Sequence, residues 1–174
     1  DQEVRELIER LQVVRTQGNG RLVVLLGASG SGKSSLLRAG VLPRLARSGR
    51  HWLPLEPFRP QGSPCTALAL ALATALEDGP DGATLESELR QAARSDRLGP
   101  LFSSLARRLR QGRRAPEAQI LISVDQAEEL FTQSEGEELA LFFRLLSGAL
   151  MVSDGFQVVL TLRSDFLGNL QAAP

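Results

Sequence analysis

The sequence predicts an α/β fold, a three-layer α/β/α sandwich built on a parallel sheet. Strand-like apolar runs alternate with helical patterns along the 174 residues, and this alternation is typical of a parallel sheet covered by helices. The runs at 120–124 and 156–162 are apolar almost without interruption, as expected of strands buried on both faces. The length suits a single domain, residues 1–174, with a substantial core.

Apolar residues that recur every three or four positions predict the helices. Helices are expected at residues 2–16, after Ser35, at 64–77, 84–95, 98–111 and 135–151, and from Ser164 onward. Strands are expected at residues 22–26, 52–58, 120–124 and 156–162. The prolines of the second strand place it at an edge of the sheet. Gly18–Asn19–Gly20 is expected to end the first helix, and Pro43 to kink or end the second.

Charge and composition argue against several classes of protein. The 20 basic and 20 acidic residues give a formal net charge of zero, so there is no general attraction to nucleic acid or to an anionic membrane. The longest strongly apolar stretch, 66–76, is too short to span a bilayer. Cys65 is the single cysteine, which excludes an intrachain disulfide and fits a reducing compartment. We therefore expect a cytoplasmic protein.

One local cluster of basic residues departs from this even balance of charge. Its members are Arg107, Arg108, Arg110, Arg113 and Arg114. A nucleic-acid patch is one interpretation. The favoured interpretation is a solvated helix end whose arginines complement the helix dipole, because no aromatic residues are interleaved as a base-stacking platform would require.

The most informative stretch is a glycine-rich loop between the first strand and the second helix. Gly27 to Ser34 reads GASGSGKS and matches the phosphate-binding pattern G-x-x-x-x-G-K-[ST] in the required strand–loop–helix context. Its glycines allow successive N–H groups to turn toward one anion, and the helix start adds further free N–H groups. The residues predicted to bind nucleotide phosphates are Gly27, Ala28, Ser29, Gly30, Ser31, Gly32, Lys33, Ser34 and Ser35.

Lys33 is the single lysine of the chain; the other nineteen basic residues are arginines. A compositional bias has replaced lysine everywhere except where a compact charge on a flexible stem is wanted. Lys33 is expected to reach the β and γ phosphates, and the Ser34 hydroxyl to ligate Mg²⁺. An accidental glycine-rich turn is therefore a poor explanation of the motif.

A second group of polar residues follows the two most apolar strands. Asp125 closes the run 120–124, Glu128 and Glu129 come shortly after it, and Arg163 closes the run 156–162. Ligands of open α/β sheets bind at the carboxyl ends of the strands. A nucleotide site needs a carboxylate for Mg²⁺, a group that orients water and a cation beside the transferred phosphoryl group. Arg163 could instead be a surface residue or pair with Asp165.

Four segments of the chain resemble the bacterial novel STAND NTPases, which are signal-transduction ATPases related to the NACHT and disease-resistance switch ATPases. The segments are GASGSGKSSLLRAGVLPRL (27–45), FRPQGSPCTALALAL (58–72), ISVDQAEELFT (122–132) and VVLTLRSDFLG (158–168). By this resemblance, Lys33 and Ser34 are the Walker A residues, and Asp125 is the Walker B aspartate, which together with Ser34 holds Mg²⁺, partly through water. Glu128 or Glu129 is the water-orienting acid, and Arg163 is the sensor arginine.

The resemblance also implies the fold and the role of the module. It implies a P-loop NTPase core of the ASCE class with strand order 1-4-3-2, whose last strand and C-terminal lid lie outside this chain. Because the chain begins without methionine, we expect a fragment of a longer multidomain protein. Family members bind ATP or ADP with Mg²⁺ and act as switches between effector and sensor-repeat domains, with self-association on activation.

Several functions are compatible with these residues. The leading hypothesis is an ATP-binding, slowly hydrolysing regulatory switch; the alternatives are a nucleotide-binding scaffold without hydrolysis and a P-loop small-molecule kinase. A GTPase is disfavoured because its guanine-reading motif uses a second lysine, and this chain has only Lys33. A structural protein that binds no nucleotide is the weakest hypothesis.

Overall fold

Four parallel strands form the centre of the protein. The computed structural model describes residues 2–17, 21–134, 136–152 and 155–173. The strands are β1 (Leu22–Gly27), β2 (Trp52–Pro54), β3 (Gln119–Val124) and β4 (Phe156–Arg163), in the order β1-β4-β3-β2. This confirms the predicted parallel α/β sheet and its 1-4-3-2 order. The predicted turn at Gly18–Asn19–Gly20 lies outside the described residues.

Helices connect the strands and cover both faces of the sheet. Their bounds are α1 (Gln2–Gln17), α2 (Lys33–Ser35), α3 (Leu42–Arg47), α4 (Pro64–Ala75), α5 (Gly82–Arg94), α6 (Leu98–Gly112), α7 (Glu129–Thr132), α8 (Gly136–Met151) and α9 (Leu167–Gln171). The longer helices lie within about two residues of their predicted ends, the usual uncertainty of such boundaries. Helix α7 has four residues, too few to show a helical period. None of the described helices is both long enough and apolar enough to cross a membrane.

The helical segment after the glycine loop continues through Pro43 and ends at Arg47. Between α2 and α3 the chain forms a π-helical turn, Leu36–Val41, in which the Leu42 N–H donates to the carbonyl of Leu37, five residues earlier. Proline has no N–H, and its ring crowds the carbonyl four residues before it. The wider turn accommodates Pro43 where a regular helix would be broken.

Strand β2 is an edge strand, as its prolines predict, but it is shorter than the expected 52–58. Beyond Pro54 the chain still follows β3 through single bonds: the Phe58 N–H donates to the Ser123 carbonyl over 3.1 Å, and the Asp125 N–H donates to the Phe58 carbonyl over 2.8 Å. This irregular pairing holds the segment around Phe58 beside the end of β3.

The core lies on both sides of β3 and β4. Ile120 and Ile122 face a large apolar cluster formed with α4, α5, α6 and α8, whereas Leu121 and Val159 face a smaller cluster with α1 and α3. Neighbouring residues of a strand point to opposite faces, so a strand buried on both faces is apolar throughout. The two clusters confirm the predicted three-layer sandwich.

The strand register brings the polar strand ends together. Gly27, the last residue of β1, pairs with Arg163, the last residue of β4. Val124, the last residue of β3, pairs with Leu160 of β4. Asp125 directly follows Val124 and therefore lies at the same edge of the sheet. All these residues lie at the carboxyl ends of parallel strands, where ligands of such sheets bind.

Candidate functional site

The glycine loop links β1 to α2, and its backbone depends on glycine. Gly30 and Gly32 have φ angles of 74° and 87°, in the left-handed region that side chains disfavour. A Cβ atom on Gly27 would lie 2.7 Å from Ser31 Oγ. The loop therefore needs glycine at two positions for its conformation, and a side chain at Gly27 would require the Ser31 hydroxyl to move.

Lys33 lies across this loop. Its Nζ donates to the carbonyls of Gly27 and Ala28, each over 2.7 Å. Gly27 and Ala28 thus contact the lysine through their carbonyl oxygens. The ammonium group is held within the loop by neutral acceptors, which can be exchanged for the more strongly accepting oxygens of an anion.

The buried Asp125 carboxylate joins the glycine loop to the sheet. Asp125 is fully buried. Ser34 Oγ donates to its Oδ1 over 2.7 Å, and Arg38 Nε donates to its Oδ2 over 2.8 Å. The Thr161 hydroxyl also donates to Oδ1, over 2.7 Å. Three donors therefore fix the position of this carboxylate. Ser34 and Arg38 come from the helical segment after the glycine loop, and Thr161 comes from β4.

The charge state of Asp125 follows from these contacts. Burial alone raises the pKa of the carboxyl group, but the hydrogen bonds from Arg38, Ser34 and Thr161 outweigh it and hold the pKa below its ordinary value. Asp125 is therefore ionised at neutral pH.

Arg38 and Thr161 were not among the residues predicted for the site. Arg38 lies four residues after Ser34, a spacing that places both side chains on one helical face. Thr161 is the hydroxyl residue within the apolar run of β4; it donates to Asp125 and accepts the N–H of Gln126 over 2.8 Å. The spacing of Arg38 from Ser34 and the hydroxyl within the apolar run of β4 are both visible in the sequence. Each pattern is common in residues that have only a structural role, so neither singled out a site residue.

Glu128 and Glu129 point to different surroundings although they are adjacent. Glu128 lines the cleft beside the glycine loop, and its Oε2 accepts the N–H of Arg163 over 3.3 Å. Glu129 does not line this cleft; its Oε2 accepts the N–H of Gln61 over 3.1 Å. The structure thus brings Glu128, and not Glu129, together with the glycine loop.

Arg163 lies at the cleft, but its guanidinium group is engaged. Its Nε and Nη2 donate to the two carboxylate oxygens of Asp165 over 3.2 and 2.6 Å. Its guanidinium carbon lies 5.5 Å from the centre of the Phe166 ring, within the range of a cation–π contact. The alternative pairing with Asp165, considered from the sequence, is the one present.

A cleft of about 280 Å³ joins these groups. Its lining consists of residues 29–35, Gln126, Glu128, Thr161 and Arg163. Pockets for small molecules range upward from about 300 Å³, so the cleft is near the lower end of that range. Backbone N–H groups, one ammonium and one guanidinium around it suit an anionic part, such as a phosphate chain.

The residues present fit a magnesium ion. Ser34 donates its single proton to Asp125, which leaves the lone pairs of its hydroxyl free for a cation. No group of three or more His, Cys, Asp or Glu side chains that could hold a metal occurs among the described residues. Mg²⁺ keeps several waters and is commonly held by one or two protein groups together with substrate phosphates. Ser34 lines the cleft and can supply one ligand, and Asp125, which is buried behind it, can act partly through water.

The family model described as novel STAND NTPase 1 matches residues 1–174. The chain belongs to this family. No curated protein matches it. As a novel STAND NTPase the chain is a nucleotide-binding regulatory module, and NTPases usually bind Mg²⁺ with the nucleotide. The resemblance that the sequence motifs suggested is confirmed.

Proposed function

We propose that the chain is an ATP-binding, slowly ATP-hydrolysing switch module of a multidomain signal-transduction protein in the cytoplasm. The observation that carries the proposal is the Ser34–Asp125 hydrogen bond, which joins the glycine loop to a buried, ionised carboxylate. Glu128 and Arg163 line the same cleft. This combination provides for phosphate binding, metal binding, water activation and charge sensing at one edge of the sheet.

Binding begins with the loop. Backbone N–H groups of residues 29–35 surround the phosphates, and Lys33 exchanges the carbonyls of Gly27 and Ala28 for oxygens of the β and γ phosphates. Ser34 and Asp125 would hold Mg²⁺, partly through water, and the ion would neutralise charge on the phosphates. Thr161 keeps the carboxylate of Asp125 aligned for this task.

Glu128 orients the attacking water in this proposal. One of its carboxylate oxygens accepts the Arg163 N–H, and the other accepts no hydrogen bond from the described residues. That second oxygen is therefore free to accept a proton from water at the γ phosphate. Glu129 instead holds the loop at Gln61, so its role is structural.

Arg163 senses the γ phosphate by exchanging partners. The Asp165 carboxylate and the Phe166 ring hold its guanidinium group beside the cleft. A terminal phosphate would compete with Asp165 for the same donors. This exchange would link the bound nucleotide to the contacts of the segment after β4. Effector and sensor-repeat domains, and self-association, would respond to that change of contacts.

A nucleotide-binding scaffold without hydrolysis is the second candidate. The observation that favours it is the Arg163–Asp165 pair, in which both Nε and Nη2 of the arginine are engaged. If this pair persists with ATP bound, no side-chain cation other than Lys33 would be available beside the γ phosphate among the residues that line the cleft.

The test uses the full-length protein with Mg²⁺–ATP. We expect binding by calorimetry, slow phosphate release, and at least about tenfold weaker binding in Lys33→Ala, since the ammonium makes charge-assisted bonds to phosphate. Arg47→Ala, a change at an exposed cation of α3, serves as the control and should bind normally. Binding without phosphate release would select the scaffold, and no binding would contradict both candidates.

A further inference from the structure

The Asp125 carboxylate has a cationic partner that the proposed mechanism does not use. Arg38 Nε donates to Asp125 Oδ2 over 2.8 Å, and Arg38 Nη2 donates to the carbonyl of Pro57 over 3.2 Å. Ser34, four residues earlier on the same helical face, takes the other oxygen of this carboxylate. The Ser34 and Arg38 side chains therefore each donate a hydrogen bond to a different oxygen of the Asp125 carboxylate.

The exposure of the two partners differs. The Asp125 side chain is 0% exposed, whereas the Arg38 side chain is 39% exposed. A buried carboxylate without a nearby cation is costly, so Arg38 supplies the compensating charge from the solvent side. A divalent cation held by Ser34 and Asp125 would bring more positive charge to the same group, and the guanidinium would repel it.

We propose that Arg38 is an intramolecular counter-ion that competes with Mg²⁺ for Asp125. The proposal rests on the proposed function, because it requires Ser34 and Asp125 to take the metal. Arg38 neutralises the carboxylate in the absence of metal and raises the Mg²⁺ concentration that nucleotide binding needs. It is a positioning residue, since it acts on the metal site through Asp125.

A purely structural role for Arg38 makes a different prediction. In that case Arg38 would only tie the helical segment to Asp125 and Pro57, and its loss would lower stability equally with and without metal. Under competition, the loss is larger without metal, because Mg²⁺ compensates the charge of Asp125 when the guanidinium is absent.

The test is a Mg²⁺ titration of the full-length protein at fixed ADP, read by thermal unfolding against an EDTA reference. For Arg38→Gln we expect the Mg²⁺ midpoint to fall by about three- to tenfold, the effect of removing one nearby like charge. The melting temperature should fall more in EDTA than in Mg²⁺. Arg38→Lys keeps the charge and should stay within about twofold of the wild type, as should the exposed control Arg47→Gln.

An unchanged midpoint in Arg38→Gln, with equal loss of stability in both conditions, would overturn the competition while leaving the proposed function intact. If Arg38→Gln does not fold, Arg38→Lys decides. It retains the charge, so a midpoint shifted by more than about tenfold would contradict a role based on charge. A wild-type protein that does not respond to Mg²⁺–ADP would contradict the proposed function and this inference together.

Discussion

Ser34 Oγ and Asp125 Oδ1 are 2.7 Å apart, and their hydrogen bond joins the first turn after the glycine loop to the end of β3. The carboxylate also accepts from Arg38 and Thr161. Removing its charge should affect both stability and metal binding, because a single group serves both.

The first prediction concerns Asp125→Asn. The amide oxygen can still accept from Arg38, but the amide nitrogen then faces the Ser34 and Thr161 hydroxyls, and the charge that balances Arg38 is lost. The free energy of unfolding should fall by about 1–3 kcal/mol, less than for a fully buried pair because Arg38 is partly exposed. Urea denaturation at neutral pH measures this loss. Mg²⁺-dependent nucleotide binding should be lost as well.

The pH dependence supplies a further check on Asp125. Its pKa in the folded protein is lower than the ordinary value of 3.8. The stability that its charge contributes is therefore fully present above pH 3.8, the range in which the carboxyl group is ionised in both the folded and the unfolded chain. This contribution is lost as pH falls through the lower, folded-state pKa. The difference between wild type and Asp125→Asn should shrink in acid; an equal difference from pH 7 to pH 3 would contradict the assignment.

Thr161→Val tests the buried hydroxyl residue in the lining of the cleft. The change keeps the shape of the side chain but removes the bond to Asp125 and leaves the N–H of Gln126 without its acceptor. We expect a loss of about 1–3 kcal/mol. The matched control is Thr74→Val on the exposed face of α4, where the change should be within about 0.5 kcal/mol. Equal effects at both sites would argue against the Thr161 contacts.

Two glycine substitutions should change stability in opposite directions. Gly32 has a φ of 87°, so Gly32→Ala is strained although no atom lies within 4 Å of the new Cβ, and it should cost about 1–2 kcal/mol. Gly168 lies in α9 with the same open space and no positive φ. Gly168→Ala should stabilise by about 0.4–1 kcal/mol, because alanine has fewer conformations to lose on folding. Chemical denaturation of both variants is decisive, since a stabilising Gly32→Ala would refute the loop conformation.

Cys65 should be unreactive in the folded protein. It is 1% exposed, and burial together with the nearby Glu138 carboxylate raises the pKa of its thiol, which suppresses the reactive thiolate. At pH 8, alkylation followed by peptide mapping should be at least about 100-fold slower in buffer than in urea, because reaction requires opening of the fold. Rapid labelling without denaturant would mean that α4 does not pack against α8 as described.

The fold was predictable because its strongest signals are long and redundant. The runs that became β3 and β4 are apolar on both faces, and the glycine loop fixed the position of β1. The extent of β2 was harder to predict, because Pro54 and Pro57 interrupt its ladder while Phe58 still pairs with Val124.

The site was predictable in its strand-end residues and less so in its details. Glu128 and Glu129 are neighbours with identical chemistry, so the sequence could not separate them; the start of α7 at Glu129 and the positive φ of Gln126 direct them differently. Arg38 and Thr161 are single residues of common types. Their importance depends on how close Asp125 lies to them in three dimensions, and no local sequence pattern gives the distances from Arg38 and Thr161 to Asp125.

Single-turnover hydrolysis of ATP by Glu128→Gln and Glu129→Gln in the full-length protein tests most directly which carboxylate acts on water. Glu128→Gln should bind ATP normally and lower the rate of phosphate release by about 100-fold or more, the usual contribution of a general base. Glu129→Gln should retain most of the wild-type rate, because Glu129 contacts Gln61 outside the cleft. Loss of hydrolysis in Glu129→Gln with a normal rate in Glu128→Gln would contradict the proposed site.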